Sequence, residues 1–378
     1  MTSLWQSHQM EELGISKAAS KIRNWRKSGK LEIELADHYL AKIYSSGSVV
    51  QGHLSISPAS DIYASSITMS LDGVTTILGL NNPHKESLAQ NTFPVHFTLS
   101  TGLNGLYTRC RINNCHRQAF DPPPTIGGEW DRHDMSPGVV EVEYGINACI
   151  ASTPSLDTGH SQDFTAKRAI QFIPRLSESP PLHVSLMNRR YKLQGTKSLR
   201  SNSFKRPFGI ISATAMQPEP LHLQAYGTVI TPSFIDVTLT FDPENDGITP
   251  PKLDSVSLSI RSNTWHQADP YQAFPDQIEK PSLKQPFITS IELTVDRPQV
   301  TWARHVNPGL EDKSSENSSV AFYSSTLQLP LSVSTRNKTF LPTFHSCLVS
   351  RTYDVSLRLG FKKGDLTIAA PLQIIADP

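Results

Sequence analysis

Short runs in which apolar and polar side chains alternate recur along nearly the whole chain, and this period of two limits the fold more than any other feature of the sequence. Successive strand side chains point to opposite sides, so Leu31-Glu32-Ile33-Glu34-Leu35 puts two glutamates on one face and three aliphatics on the other. The same arithmetic applies to Ile67, Met69 and Leu71 against Thr68 and Ser70, and to Val140, Val142 and Tyr144 against Glu141 and Glu143. It returns in Ile235, Val237, Leu239 and Phe241, in Val256, Leu258 and Ile260, in Leu327, Leu329, Leu331 and Val333, and in Val355, Leu357, Leu359 and Phe361. Strands with one apolar face must bury it, and with almost no helical stripe between them the economical solution is antiparallel sheets packed face to face.

At 378 residues the chain has room for two or three domains of roughly 150 residues each, every one with its own core. The rhythm breaks between Pro174 and Arg206, where Ser177-Glu178-Ser179-Pro180-Pro181 is followed by Arg189, Arg190, Lys192, Lys197 and Arg200 among Ser and Asn. This stretch predicts a connection between domains, with an edge strand through Leu182, Val184 and Leu186. The organisation expected is a basic extension over 1–30, a β-sandwich over 31–176, a basic connecting segment over 177–204 and a second sandwich over 205–378.

In the extension, Ile15, Ala18, Ala19, Ile22 and Trp25 recur at helical spacing beside Lys17, Lys21, Arg23, Arg26 and Lys27. A basic amphipathic helix there could lie on an anionic membrane surface through Lys17, Lys21, Trp25 and Arg26. A frayed tail or a helix docked on the first sandwich accounts for the same residues.

Charge and cysteine content remove several classes. Lys plus Arg is 35 against 34 for Asp plus Glu, so no overall field draws the molecule onto nucleic acid, and any anionic partner must meet a local patch. Cys110, Cys115, Cys149 and Cys347 form no C-x-x-C pair, so reduced thiols are expected, with no metal site, no disulfide framework and no cofactor. Met1 to Lys30 lacks a continuous apolar segment, and no run of eighteen apolar residues occurs elsewhere. The expectation is a soluble cytoplasmic chain.

Motifs of common enzymes are missing: no G-x-G-x-x-G, P-loop, H-E-x-x-H or G-x-S-x-G is present. The densest polar cluster is Glu129-Trp130-Asp131-Arg132-His133-Asp134. There Asp131, His133 and Asp134 could form a proton-transfer group, because a carboxylate orients an imidazole and raises its basicity. A hydrated hairpin tip with charge pairs is the bland alternative. Clustered cations can hold phosphate oxygens by charge-assisted hydrogen bonds, which makes Arg189, Arg190, Lys192, Lys205 and Arg206 candidates for an anionic surface.

Several segments carry a family resemblance. Leu31 to Leu35 followed by Tyr44, Gly47, Val49, Val50 and Gly52 resembles the first hairpin of arrestin-related proteins; Phe93-Pro94-Val95-His96-Phe97-Thr98-Leu99 resembles their F-P-F-x-F-x-L strand, and Pro122-Pro123-Pro124-Thr125 their proline-rich loop. Near the end, Leu341-Pro342-Thr343-Phe344, Cys347, Arg351-Thr352-Tyr353, Leu357, Leu359-Gly360-Phe361 and Pro371-Leu372 resemble the ladder that closes arrestin C-terminal domains.

The resemblance to fungal arrestin-related proteins implies an all-β fold of two tandem immunoglobulin-like antiparallel β-sandwiches. It also implies an adaptor that binds the cytoplasmic tails of membrane transporters or receptors for trafficking or ubiquitin-linked endocytosis, at the plasma or endosomal membrane. The chain carries no P-P-x-Y, so a ubiquitin ligase would be reached through another adaptor. The same architecture admits two alternatives: a cofactor-free enzyme that cyclises or isomerises an apolar small molecule, and a retromer-type structural trafficking subunit.

Overall fold

The computed structural model describes residues 30–57, 64–78, 87–95, 122–152, 164–174, 184–200, 206–271, 275, 285–306 and 321–377, apart from 40–41, 47, 129, 131, 187, 189, 225–228, 246, 270 and 297. The described residues are all-β, with no helix among them and therefore none long and apolar enough to cross a membrane. Residues 1–29, with Lys17, Lys21, Trp25 and Arg26, lie outside the described set.

The first part contributes β1 (Lys30–Leu35), β2 (Ile43–Ser45), β3 (Gly52–Ser57), β4 (Ala64–Leu78), β5 (Ser87–Val95), β6 (Val140–Ser152) and β7 (Phe164–Ile173). The antiparallel pair β1 and β3 forms one ribbon, and a second sheet runs in the order β2-β7-β6-β4-β5, with β2 parallel to β7. Their facing side chains share a core that includes Ile33, Tyr44, Leu71, Ile77, Val140, Val142, Tyr144 and Phe172.

Then come β8 (Gln194–Arg200), β9 (Pro207–Ala215), β10 (Leu221–Gln224), β11 (Val229–Ile230), β12 (Ser233–Pro243), β13 (Leu253–His266) and β14 (Phe287–Leu293). The chain finishes with β15 (Ala303–Val306), β16 (Ala321–Leu331), β17 (Phe344–His345), β18 (Val349–Phe361), β19 (Gly364–Leu372) and β20 (Ile374–Ala376). One sheet has the order β15-β16-β12-β9-β8, and another has β14-β13-β18-β17 with β19 also paired to β18. A small sheet, β11-β10-β20, closes one side.

The inner faces of the two larger sheets meet in one core, an arrangement consistent with a β-sandwich. Ile235, Val237, Leu239 and Phe241 of β12 face inward together with Leu327, Leu329 and Leu331 of β16. Val355, Leu357, Leu359 and Phe361 of β18 pack from the opposite sheet with Leu258 and Ile260 of β13. The alternation in the sequence matches the burial of β12 residue by residue, whereas in β18 the intervening Ser350, Thr352 and Asp354 are buried as well.

Three expectations are corrected. Ile67 and Met69 are 55% and 57% exposed, and only Leu71 of that run is buried; alternation fixes which side chains share a face but not how far along a 15-residue strand the covering layer reaches. Val184 and Leu186 lie outside strands, and the edge strand of the connecting stretch is β8, held to β9 from Gln194↔Thr214 to Arg200↔Pro207. Its inward positions are Gly195 and Leu199, so a single large apolar side chain marks it and the basic residues around it hide the pattern. Finally, Cys347 is disulfide-bonded, whereas Cys149 is free. Spacing could not reveal that pairing, because a bridge needs only nearness in space.

The two cores exchange residues. Leu341, Phe344, Leu348, Val349 and Ala376 pack into the core built from β1, β2, β4, β6 and β7, and Met135 packs into the other.

Candidate functional site

The exchange of side chains between the cores centres on the loop from Pro122 to Ser136. Prolines cannot donate backbone hydrogen bonds, so the first part of this loop is fixed by what it accepts and by the residue that follows. Tyr144 Oη donates to the Pro123 carbonyl at 2.5 Å. The Thr125 amide donates to the Phe172 carbonyl at 2.8 Å, and the Phe172 amide donates back to Thr125 Oγ1 at 2.9 Å. Ile126 then exchanges two backbone bonds with Val142.

The chain turns at Gly127, whose φ of 70° suits a residue without a Cβ; an added Cβ would stand 2.8 Å from the Val140 carbonyl oxygen. The turn aims the Gly127 amide at Asp134 Oδ2, 2.8 Å away. Asp134 is 4% exposed, and it also accepts from the Ser136 amide and the Ser136 hydroxyl, both at 3.0 Å. Three donors thus hold the carboxylate, which is how a buried acceptor offsets its lost hydration. His133 Nδ1 accepts the Met135 amide at 2.9 Å, and Met135 itself takes a left-handed φ of 63° with its side chain wholly buried.

From the other side comes β18. Val349, Arg351, Tyr353, Val355 and Leu357 share the inward face of that strand, so the period of two sends a guanidinium into the interior. Arg351 is 0% exposed. Its Nη1 donates to the Asp134 carbonyl at 2.9 Å and lies 3.5 Å from Tyr353 Oη, and its Nη2 donates to Ser136 Oγ at 2.6 Å. Because Ser136 Oγ donates in turn to Asp134 Oδ2, a hydroxyl links the guanidinium to the carboxylate. Tyr353 Oη donates to the Leu341 carbonyl at 2.8 Å. Burial raises the Tyr353 pKa above the ordinary phenol value, with Arg351 opposing the shift, so its hydroxyl stays a donor.

An outer rim surrounds this buried group. Arg132 Nη1 donates to the Thr335 carbonyl at 2.5 Å, the Thr339 amide donates to the His133 carbonyl at 3.1 Å, and Thr339 Oγ1 donates to the Arg132 carbonyl at 3.3 Å. A parallel bridge joins His133 and Lys338. Of the proposed acid–base group, then, Asp134 is buried while His133 is exposed, each engages backbone donors, and the segment serves as a joint to β18. The expectation of a hydrated hairpin tip fails for Asp134, which is buried with its carbonyl held by Arg351 of β18. Asp131 lies outside the described residues. Arg351 was visible in the sequence only as part of a motif; its inward position in an alternating strand was the signal for its role.

The basic connecting residues are dispersed. Arg190 stacks on Trp265, with its guanidinium carbon 4.1 Å from the ring centroid, and Trp265 Nε1 donates to Thr352 Oγ1 at 3.0 Å. Asn188 Oδ1 accepts the amides of Arg190 and Tyr191 and shapes that turn. Lys192 is exposed, and its carbonyl accepts the Ala369 amide at 2.9 Å. Arg206 is exposed at the start of β9, while Arg189 and Lys205 lie outside the described residues. No group of His, Cys, Asp and Glu among the described residues is arranged to hold a metal ion. No protein-family model matches the chain, and no curated protein matches it in sequence.

Proposed function

We propose that the chain is a non-enzymatic adaptor of arrestin type, built as two tandem immunoglobulin-like sandwiches, that binds the cytoplasmic tails of membrane transporters or receptors during trafficking. The observation that carries this reading is the joint itself. The residues that resemble the closing arrestin ladder, Leu341 to Phe344 with Arg351 and Tyr353, are all buried where they meet the loop after the triple proline, so the unusual residues of both segments serve one contact. Function on such a body is carried by loops and sheet edges. Arg190, Lys192 and Arg206 supply cations to those surfaces, and a ubiquitin ligase would be engaged through another adaptor.

Affinity capture of the tagged full chain from its native cells tests the proposal. Recovery of transporters or receptors, reduced after charge reversal at Arg190, Lys192 and Arg206, is the expected result. Recovery of one fixed coat subunit alone would replace it with the structural-subunit reading, and turnover of a small molecule by the purified chain would replace it with an enzyme.

A further inference from the structure

The end of β8, the start of β9, the end of β12, the start of β13 and the two-residue turn from β18 to β19 lie at one end of the larger pair of sheets. Lys197 of β8 runs past Gly364, its Cε 3.0 Å from where a Cβ on that glycine would stand. Lys363 in the turn holds its Nζ 5.1 Å from the centroid of the Phe208 ring. Arg200 faces Pro207 across the β8–β9 pair, one residue beyond Arg206. Leu253 faces Phe361 in register, and Lys252 and Lys362 are the first residues beyond those two strand ends.

The sequence scatters these six cations over 166 positions; the fold gathers them on one rim, and all six are exposed. Among the described residues the acids near it are Asp242 at the end of β12, Glu244, whose amide donates to the Phe208 carbonyl, and Asp254, beside Lys252. Asp365 is already paired with Arg358. Among the described residues, six cations against three further acids leave a positive excess.

We infer that this rim, formed by Lys197, Arg200, Arg206, Lys252, Lys362 and Lys363, docks on an anionic lipid surface. Four of the six are lysines, strongly hydrated point charges on flexible stems, which suit a diffuse layer of headgroup phosphates and carboxylates better than the bidentate grip on one phosphate that arginine provides. The rim lies at the far end of β18 from Arg351 and shares only Arg206 with the cations of the adaptor reading; retention on vesicles needs no protein cargo, so it stands whether or not that reading holds.

Sedimentation of the purified full chain with vesicles tests the inference. Retention is expected on phosphatidylcholine vesicles carrying phosphatidylserine, absent on phosphatidylcholine alone, and falling steeply with added salt. Each cation at such a surface strengthens binding about fivefold, so Lys362→Glu with Lys363→Glu should lower retention by more than about 25-fold. Lys252→Gln with Lys362→Gln, which leaves the Lys363–Phe208 contact in place, should lower it by about 25-fold. Arg304→Glu with Arg336→Glu, the same charge change at exposed sites elsewhere, should retain binding. Failure of the wild type to bind, equal loss in the Arg304 and Arg336 variant, or capture of a phosphoserine peptide without vesicle retention would each overturn it.

Discussion

At the scale of single residues, the joint depends on a few groups whose replacements have calculable costs. Gly127→Ala puts a Cβ against the Val140 carbonyl in a left-handed backbone and should cost about 1–2 kcal/mol in a denaturant titration. Arg351→Ala leaves the Asp134 carbonyl and the Ser136 hydroxyl without their buried donor, a loss on the order of 3 kcal/mol. Combined with Ser136→Ala the two changes should be less than additive, because both act on one network. His38, whose Nδ1 lies 3.2 Å from Tyr44 Oη, has its pKa lowered from 6.5, first by burial and then by Arg168 and Lys42. The folded state therefore resists protonation: the contribution is full above 6.5 and is lost as pH falls through the depressed folded value. Thermal melts should drop as pH is lowered across that window, and His38→Gln should flatten the drop.

At the scale of elements, alternation tells which residues share a face, and coverage decides whether that face is dry. In β12 the two agree: Phe241 is fully buried, so Phe241→Ala should cost about 3–5 kcal/mol by equilibrium unfolding. In β4 they part, since the same period leaves Ile67 in water, and Ile67→Thr should change stability by no more than about 0.5 kcal/mol. Lys197 and Arg200 disguise β8 as a linker, and only its pairing with β9 gives it away. Sequence reading is thus strong for strands with both faces well marked, such as β12, and weak where a strand carries one large apolar residue.

At the scale of the whole molecule, the candidate site was half legible. Asp134, His133 and the Arg351-Thr352-Tyr353 stretch stood out separately, but nothing in one dimension says that segments 217 positions apart share a hydrogen bond. The cationic rim was hidden for the same reason. Because Leu341, Phe344, Leu348 and Val349 complete the core around Val142 and Tyr144, a fragment of residues 1–176 should bind a hydrophobic dye strongly and melt without a cooperative transition, while the full chain does neither. Loss of dye binding in the fragment would show that its core closes unaided. The borrowed side chains also set an order of events on the ribosome. With Ala376 in that core as well, the nascent first half waits for about 200 further residues, roughly 10 to 40 s at ordinary elongation speeds, before its greasy face is sealed, and a holding chaperone is the natural guardian of that interval.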